Sequence, residues 1–132
     1  MGIVVGYLAT PEGRAALDAA VQEAAVRGRP VVVVVSTRPD EAEDQRAAVE
    51  EELGRVAEDL RGRGVEHEVR MLGGGGDVAD DLIATAEEVG AELVVIGLRR
   101  RSPVGKLILG ANAQRVLFDA PCPVLTVKPA AR

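Results

Sequence analysis

Aromatic residues are nearly missing from this chain of 132 residues: it has one Tyr, one Phe and no Trp. Stacking platforms for nucleic-acid bases need such rings, so that class of binding is excluded. Basic residues are outnumbered, 16 Lys and Arg against 21 Asp and Glu, for a formal net charge of −5. A net acidic chain without a broad basic face does not suit a phosphodiester backbone. A single Cys excludes an intramolecular disulfide framework and a multi-cysteine metal site. With a single His as well, zinc has almost no ligands to bind. No apolar stretch approaches the roughly 20 residues that span a bilayer, so no membrane is expected as partner. The start, Met1-Gly2-Ile3-Val4-Val5-Gly6, has neither a basic segment nor a small-residue cleavage site, so no signal peptide is expected and the expected location is cytoplasmic.

What the chain does have is aliphatic bulk. Hydrophobic residues make up 47% of it and charged residues 28%, enough for one folded domain over residues 1–132. Ile3 to Leu8 is a short apolar run, followed by Thr10 as a helix N-cap and Pro11 at the first helical position. Helical spacing continues to Arg27, where Gly28 stops it. Pro30 opens five consecutive valines, Val31 to Val35, the pattern of a parallel strand covered on both faces. Asp40 to Arg63 reads as a long amphipathic helix ended by Gly64. Val65 to Leu72 alternates apolar and charged residues, so it is a strand with one wet face near a sheet edge. Asp77 caps a helix to about Val89, Leu93 to Ile96 is a second buried strand closed by Gly97, Ala111 to Asp119 is a short helix, and Val124 to Val127 is the last strand.

Five strands alternating with helices predict right-handed crossovers and a doubly wound α/β fold of the flavodoxin-like, Rossmann-like kind. Its five parallel strands are expected in the order 3-2-1-4-5, with helices on both faces. In such a sheet the ligand crevice lies beyond the carboxyl ends of the strands, where the winding reverses. That places it between strands 1 and 4, at the loops Ala9-Thr10-Pro11 and Gly97 to Gly110. The second loop carries Arg99, Arg100, Arg101 and Lys106 in an otherwise acidic protein. Glycine backbone, arginine donors and a following helix N-terminus together suit a phosphate chain. The same residues also fit a solvated basic loop making surface ion pairs.

Three segments carry a resemblance to a known family. They are Val94-Val95-Ile96-Gly97-Leu98-Arg99-Arg100-Arg101, Gly110-Ala111-Asn112-Ala113-Gln114-Arg115-Val116-Leu117, and Ala120-Pro121-Cys122-Pro123-Val124-Leu125. Together with Thr10-Pro11-Glu12 and Gly90-Ala91-Glu92-Leu93-Val94-Val95, they make the whole chain resemble the universal stress protein family. The resemblance implies a cytoplasmic homodimer acting in stress response and, in one branch, binding of ATP, with Mg when ATP is the ligand.

ATP-binding members carry Gly-x2-Gly-x9-Gly-Ser/Thr. Here Gly97 and Gly110 match in spacing, while Arg100 replaces the second Gly and Ala111 replaces Ser or Thr. A ribose-contacting Asp common at the end of strand 1 is Leu8 here. Losing one hydroxyl bond costs about 1 kcal/mol, or roughly five- to tenfold in affinity, so an adenine nucleotide (ATP or AMP) is expected to bind weakly to moderately. Gly97, Arg99, Arg100, Gly110, Ala111 and Asn112 are the expected phosphate contacts. Leu8, Ala9, Val35, Ile96 and Ala113 complete the expected site, with Val35 at the adenine edge. No catalytic base is apparent, so slow ATP hydrolysis is the most chemistry expected. The alternative is a nucleotide-free dimeric interaction protein of the same fold. In either case the dimer is expected to form through Val124, Leu125, Thr126 and Val127, an apolar edge that symmetric pairing would cover.

Other features read as structural. Gly73 to Gly76 lacks the Lys-Ser/Thr of a phosphate loop and is followed by Asp77. Cys122, between two prolines, reads as a small packed hydrophobe, and His67 as an edge-strand residue. Glu50 to Glu52, Asp80-Asp81 and Glu87-Glu88 fall on polar helix faces. A phosphoacceptor receiver domain would need acidic residues where Leu8 and Met71-Leu72 stand.

Overall fold

The valine run decides the sheet. Alternate side chains of a strand point to opposite faces, so five valines in a row require apolar cover on both sides. In the structure, a computed structural model describing residues 2–37, 42–73, 77–98 and 111–129, that cover is two pairs of helices. The elements follow as β1 (Ile3–Gly6), α1 (Pro11–Arg27), β2 (Val31–Ser36), α2 (Glu43–Gly62), β3 (His67–Leu72), α3 (Val78–Val89), β4 (Leu93–Gly97), α4 (Ala111–Asp119) and β5 (Val124–Val127). The sheet order is β3-β2-β1-β4-β5, and every pairing is parallel. The expected doubly wound fold and strand order are therefore present.

The two faces separate by parity. Ile3, Val5, Val31, Val33 and Val95 pack under α1 and α2. Val4, Val32, Val34, Val94 and Ile96 pack under α3 and α4. The edge strand β3 has no fully buried residue, in keeping with its alternating sequence. It starts at His67 rather than Val65, because the Val65 N–H bonds the Leu60 carbonyl and closes the end of α2. β1 stops at Gly6, two residues short of the apolar run, and Leu8 turns out to solvent. The predicted start of the second helix at Asp40 lies outside the described residues; α2 is described from Glu43.

Local signals set the helix ends. The Thr10 hydroxyl accepts from the Gly13 N–H at 3.1 Å, and the Asp77 carboxylate accepts from the Asp80 N–H at 2.9 Å. Each such cap contributes about 1 kcal/mol. Gly28 and Gly90 end α1 and α3 with φ of 65° and 61°, a conformation that side chains with a Cβ resist.

Candidate functional site

The carboxyl ends of β1 and β4 meet where the winding reverses, and glycines let the chain close there. A Cβ on Gly13 would lie 1.9 Å from the Leu8 carbonyl oxygen, and one on Gly97 would lie 2.2 Å from the Glu12 carbonyl oxygen. Gly97 is thus required for the first turn of α1 to press against the end of β4. Close helix–strand packing accounts for this glycine, whatever approaches it from outside.

On the α3/α4 face, this end of the sheet opens into a recess of about 140 Å³. Gly6, Val34 and Ile96 form its floor, and Leu82, Val78 and Val116 its helical walls. Leu8, Gly97, Asn112 and Ala113 line its mouth. Two polar fittings interrupt these apolar walls. The Ser36 hydroxyl donates to the Asp81 carboxylate at 2.6 Å. The Asn112 side-chain oxygen accepts from the Ala79 N–H at 3.4 Å, tying the start of α4 to the start of α3. Arg115 strengthens the same junction with ion pairs to Asp80 at 2.5 Å and Asp77 at 3.3 Å. The hydrogen bond from Arg115 holds the Asp80 carboxyl below its usual range.

The α1/α2 face is organised differently. Tyr7, buried at the end of β1, donates its phenol proton to Glu52 at 2.5 Å. Burial, then the Glu52 hydrogen bond and charge, push the phenol up to about 12. The Tyr7 hydrogen bond, then Arg55, hold the Glu52 carboxyl below its usual range. Beside this pair lies a second recess of about 190 Å³ lined by Leu8, Ala9, Val35, Val49 and Leu53. Beyond it, a groove of about 430 Å³ runs between α1 and α2, with Arg14, Asp18, Arg55, Asp59 and Arg63 along it. Arg63 bridges the groove to Asp18 at 3.3 Å and Asp59 at 2.9 Å.

Comparison with known proteins places this architecture. The sequence profile of the universal stress protein family matches residues 1–128. The chain belongs to the universal stress protein family. A universal stress protein of Mycolicibacterium smegmatis is 44% identical over 127 residues, covering 96% of this chain and 97% of that one. A universal stress protein structure from Archaeoglobus fulgidus superposes with a TM-score of 0.84 at 36% identity, covering 97% of this chain and 98% of that one. A second from the same organism, in complex with dAMP, superposes at 0.81 with 30% identity and the same coverage.

Of the expected universal stress protein site, Leu8, Ile96, Gly97, Asn112 and Ala113 come together around the first recess. Ala9 and Val35 line the second recess instead, and among the described residues Leu8 and Tyr7 border both. The reason is strand parity: Val35 and Ser36 must face opposite sides of β2. Ala111 begins α4 and is exposed. Arg99, Arg100 and Gly110 lie outside the described residues. Sequence reasoning passed over Ser36 and Val78, and read Asp81 only as part of a polar helix face. The signal for Ser36 was its position as the first polar residue after the valine run, in step with Val34.

The side chains set aside as structural are placed as follows. Cys122 is half-buried, and burial raises its thiol above its ordinary value. His67 lies on edge strand β3 with Nδ1 2.8 Å from the Val65 carbonyl oxygen. Among the described residues, no three His, Cys, Asp or Glu side chains gather as a metal site. No described helix is long and apolar enough to cross a membrane.

Proposed function

We propose that this universal stress protein binds an adenine nucleotide, ATP or AMP, at the carboxyl ends of β1 and β4 and acts in stress response. The recess on the α3/α4 face carries this reading. It is apolar within and bordered by Gly97 and by the first turn of α4, whose positive dipole end suits phosphate. Its volume of about 140 Å³ is below the roughly 300 Å³ of sites that enclose a whole ligand. The recess fits one ring of a nucleotide, with the remainder lying across the rim toward α4. There Arg99, Arg100 and Gly110 would complete the phosphate contacts, with the Ala111 N–H and the Asn112 amide. The dAMP complex of the 30% identical relative supports the ligand class. Mg²⁺ would be carried by the ATP phosphates themselves.

The protein would work as a cytoplasmic homodimer paired through Val124, Leu125, Thr126 and Val127. β5 ends the sheet and pairs only with β4 among the described strands, which supports that surface. Among the described residues at the recess none is set up as a general base, and hydrolysis would be slow at most. The second reading is a nucleotide-free dimeric interaction protein. It draws on Leu8, 54% exposed at the mouth of the recess, which offers a ribose no hydrogen bond.

Calorimetric titration with ATP and AMP separates the two. Saturable binding that weakens in the double variant Arg99→Ala, Arg100→Ala supports the nucleotide site. Absence of heat at millimolar nucleotide leaves the scaffold. A stable monomer in sedimentation at micromolar concentration would remove the dimer from both.

A further inference from the structure

The recess is polarised across its width. At the α4 side its polar side chain is Asn112, whose oxygen is taken by the Ala79 N–H, leaving the amide hydrogens as donors. At the β2 side it is Ser36, whose only proton goes to Asp81 at 2.6 Å, leaving the hydroxyl oxygen as an acceptor. The Tyr7 hydroxyl is committed to Glu52 on the opposite face. Donors therefore stand at the end proposed for phosphate, and acceptors at the other end. β2 and β4 flank β1, so Ser36 lies two strand spacings, roughly 10 Å, from Gly97. That is the reach from a 5′-phosphate to the six-membered ring of its own base.

Resting on the nucleotide reading above, we infer that the Ser36–Asp81 pair selects the base, accepting a hydrogen bond from the 6-amino group of adenine and rejecting 6-oxo purines. An amino group donates to the Ser36 oxygen. A 6-oxo group would set its lone pairs against those of Ser36. Turning the serine proton toward the oxo group would break the bond to Asp81 and leave a half-buried carboxylate unmatched. Asp81 is thus a positioning residue: it fixes which way the hydroxyl points.

AMP and IMP differ at this position of the ring and carry the same ribose and phosphate, so they are the probes. Calorimetry on the full chain is expected to show AMP bound at least tenfold more tightly than IMP. In Asp81→Asn the serine proton is released to turn, and IMP should gain affinity until the two lie within about threefold. In Ser36→Ala AMP should weaken while IMP stays within twofold. Circular dichroism confirms that both variants are folded, and the gain of IMP binding in Asp81→Asn cannot come from loss of structure. Equal binding of AMP and IMP by the unmodified protein overturns the base-reading role while leaving the nucleotide site standing. So does a preference that survives in both folded variants. Binding of neither nucleotide removes the site itself, and this inference with it.

Discussion

The two faces of the sheet differ most at its carboxyl end. The α1/α2 face gathers charge: Tyr7, Glu52, Arg55, Arg63, Asp18 and Asp59 bond to one another across a wide groove. On the α3/α4 face the smaller recess is lined mainly by apolar residues, with Ser36, bonded to Asp81, and Asn112 as its polar fittings, and the Arg115 ion pairs lie at the junction beside it. By charge alone the first face looks more like a site. Its groups, however, satisfy one another, so a ligand would have to break existing pairs. The second face carries Ser36, whose oxygen can still accept, and Asn112, whose amide can still donate, on the lining of its recess. On the proposed reading, hydrogen-bonding capacity rather than density of charge separates the face that would bind from the one that braces.

Substitutions can test that division. The largest effect is expected at Gly97, where the faces meet. Gly97→Ala puts a Cβ 2.2 Å from the Glu12 carbonyl oxygen and should lower stability by about 3 kcal/mol in thermal denaturation. Tyr7→Phe comes next. It removes the bond to Glu52 and should cost about 1.5 kcal/mol in urea unfolding. The same bond predicts a pH effect. The phenol titrates at about 12 when folded and near its ordinary 10 when unfolded. Its contribution is complete below pH 10 and declines as pH rises through 12, because the unfolded chain loses the proton first. Unfolding at pH 9 and pH 11 should show this fall in the parent protein and a flatter profile in Tyr7→Phe.

Smaller effects sharpen the contrast. Leu8→Asp places a carboxylate at the mouth of the recess and should tighten AMP about fivefold in calorimetry, roughly one hydrogen bond. No gain would turn attention to the scaffold reading. Arg63→Ala removes two exposed ion pairs of the charged groove and should change stability by less than about 1 kcal/mol, an effect that fades in 1 M salt. A large loss of AMP affinity in Arg63→Ala would break the comparison, since it would place ligand on the braced face.

Much of this could be read from the chain. Five valines announced a doubly covered strand, the alternation from Val65 announced an edge, and Thr10, Gly28, Asp77 and Gly90 marked helix ends by local chemistry. The site was read less completely. Gly97, Ile96, Asn112 and Ala113, expected because they flank one loop and one helix start, line one recess. Val35 was placed at the adenine edge, yet it lines the recess on the other face. Ser36 and Asp81 are 45 residues apart, and no local pattern joins them.

The sequence by itself determined the elements, their order and the switch point, because periodicity and caps are properties of neighbouring residues. It also determined the family, through segments that run the length of the chain. Tertiary structure alone decided which side of β2 faces the recess. It decided that the glycine of β4 is filled by the α1 backbone, that Tyr7 is answered by Glu52, and that the serine ending β2 meets an aspartate of α3. These are meetings of residues distant in the chain, and only the packing of helices on opposite faces of the sheet brings them within hydrogen-bonding distance.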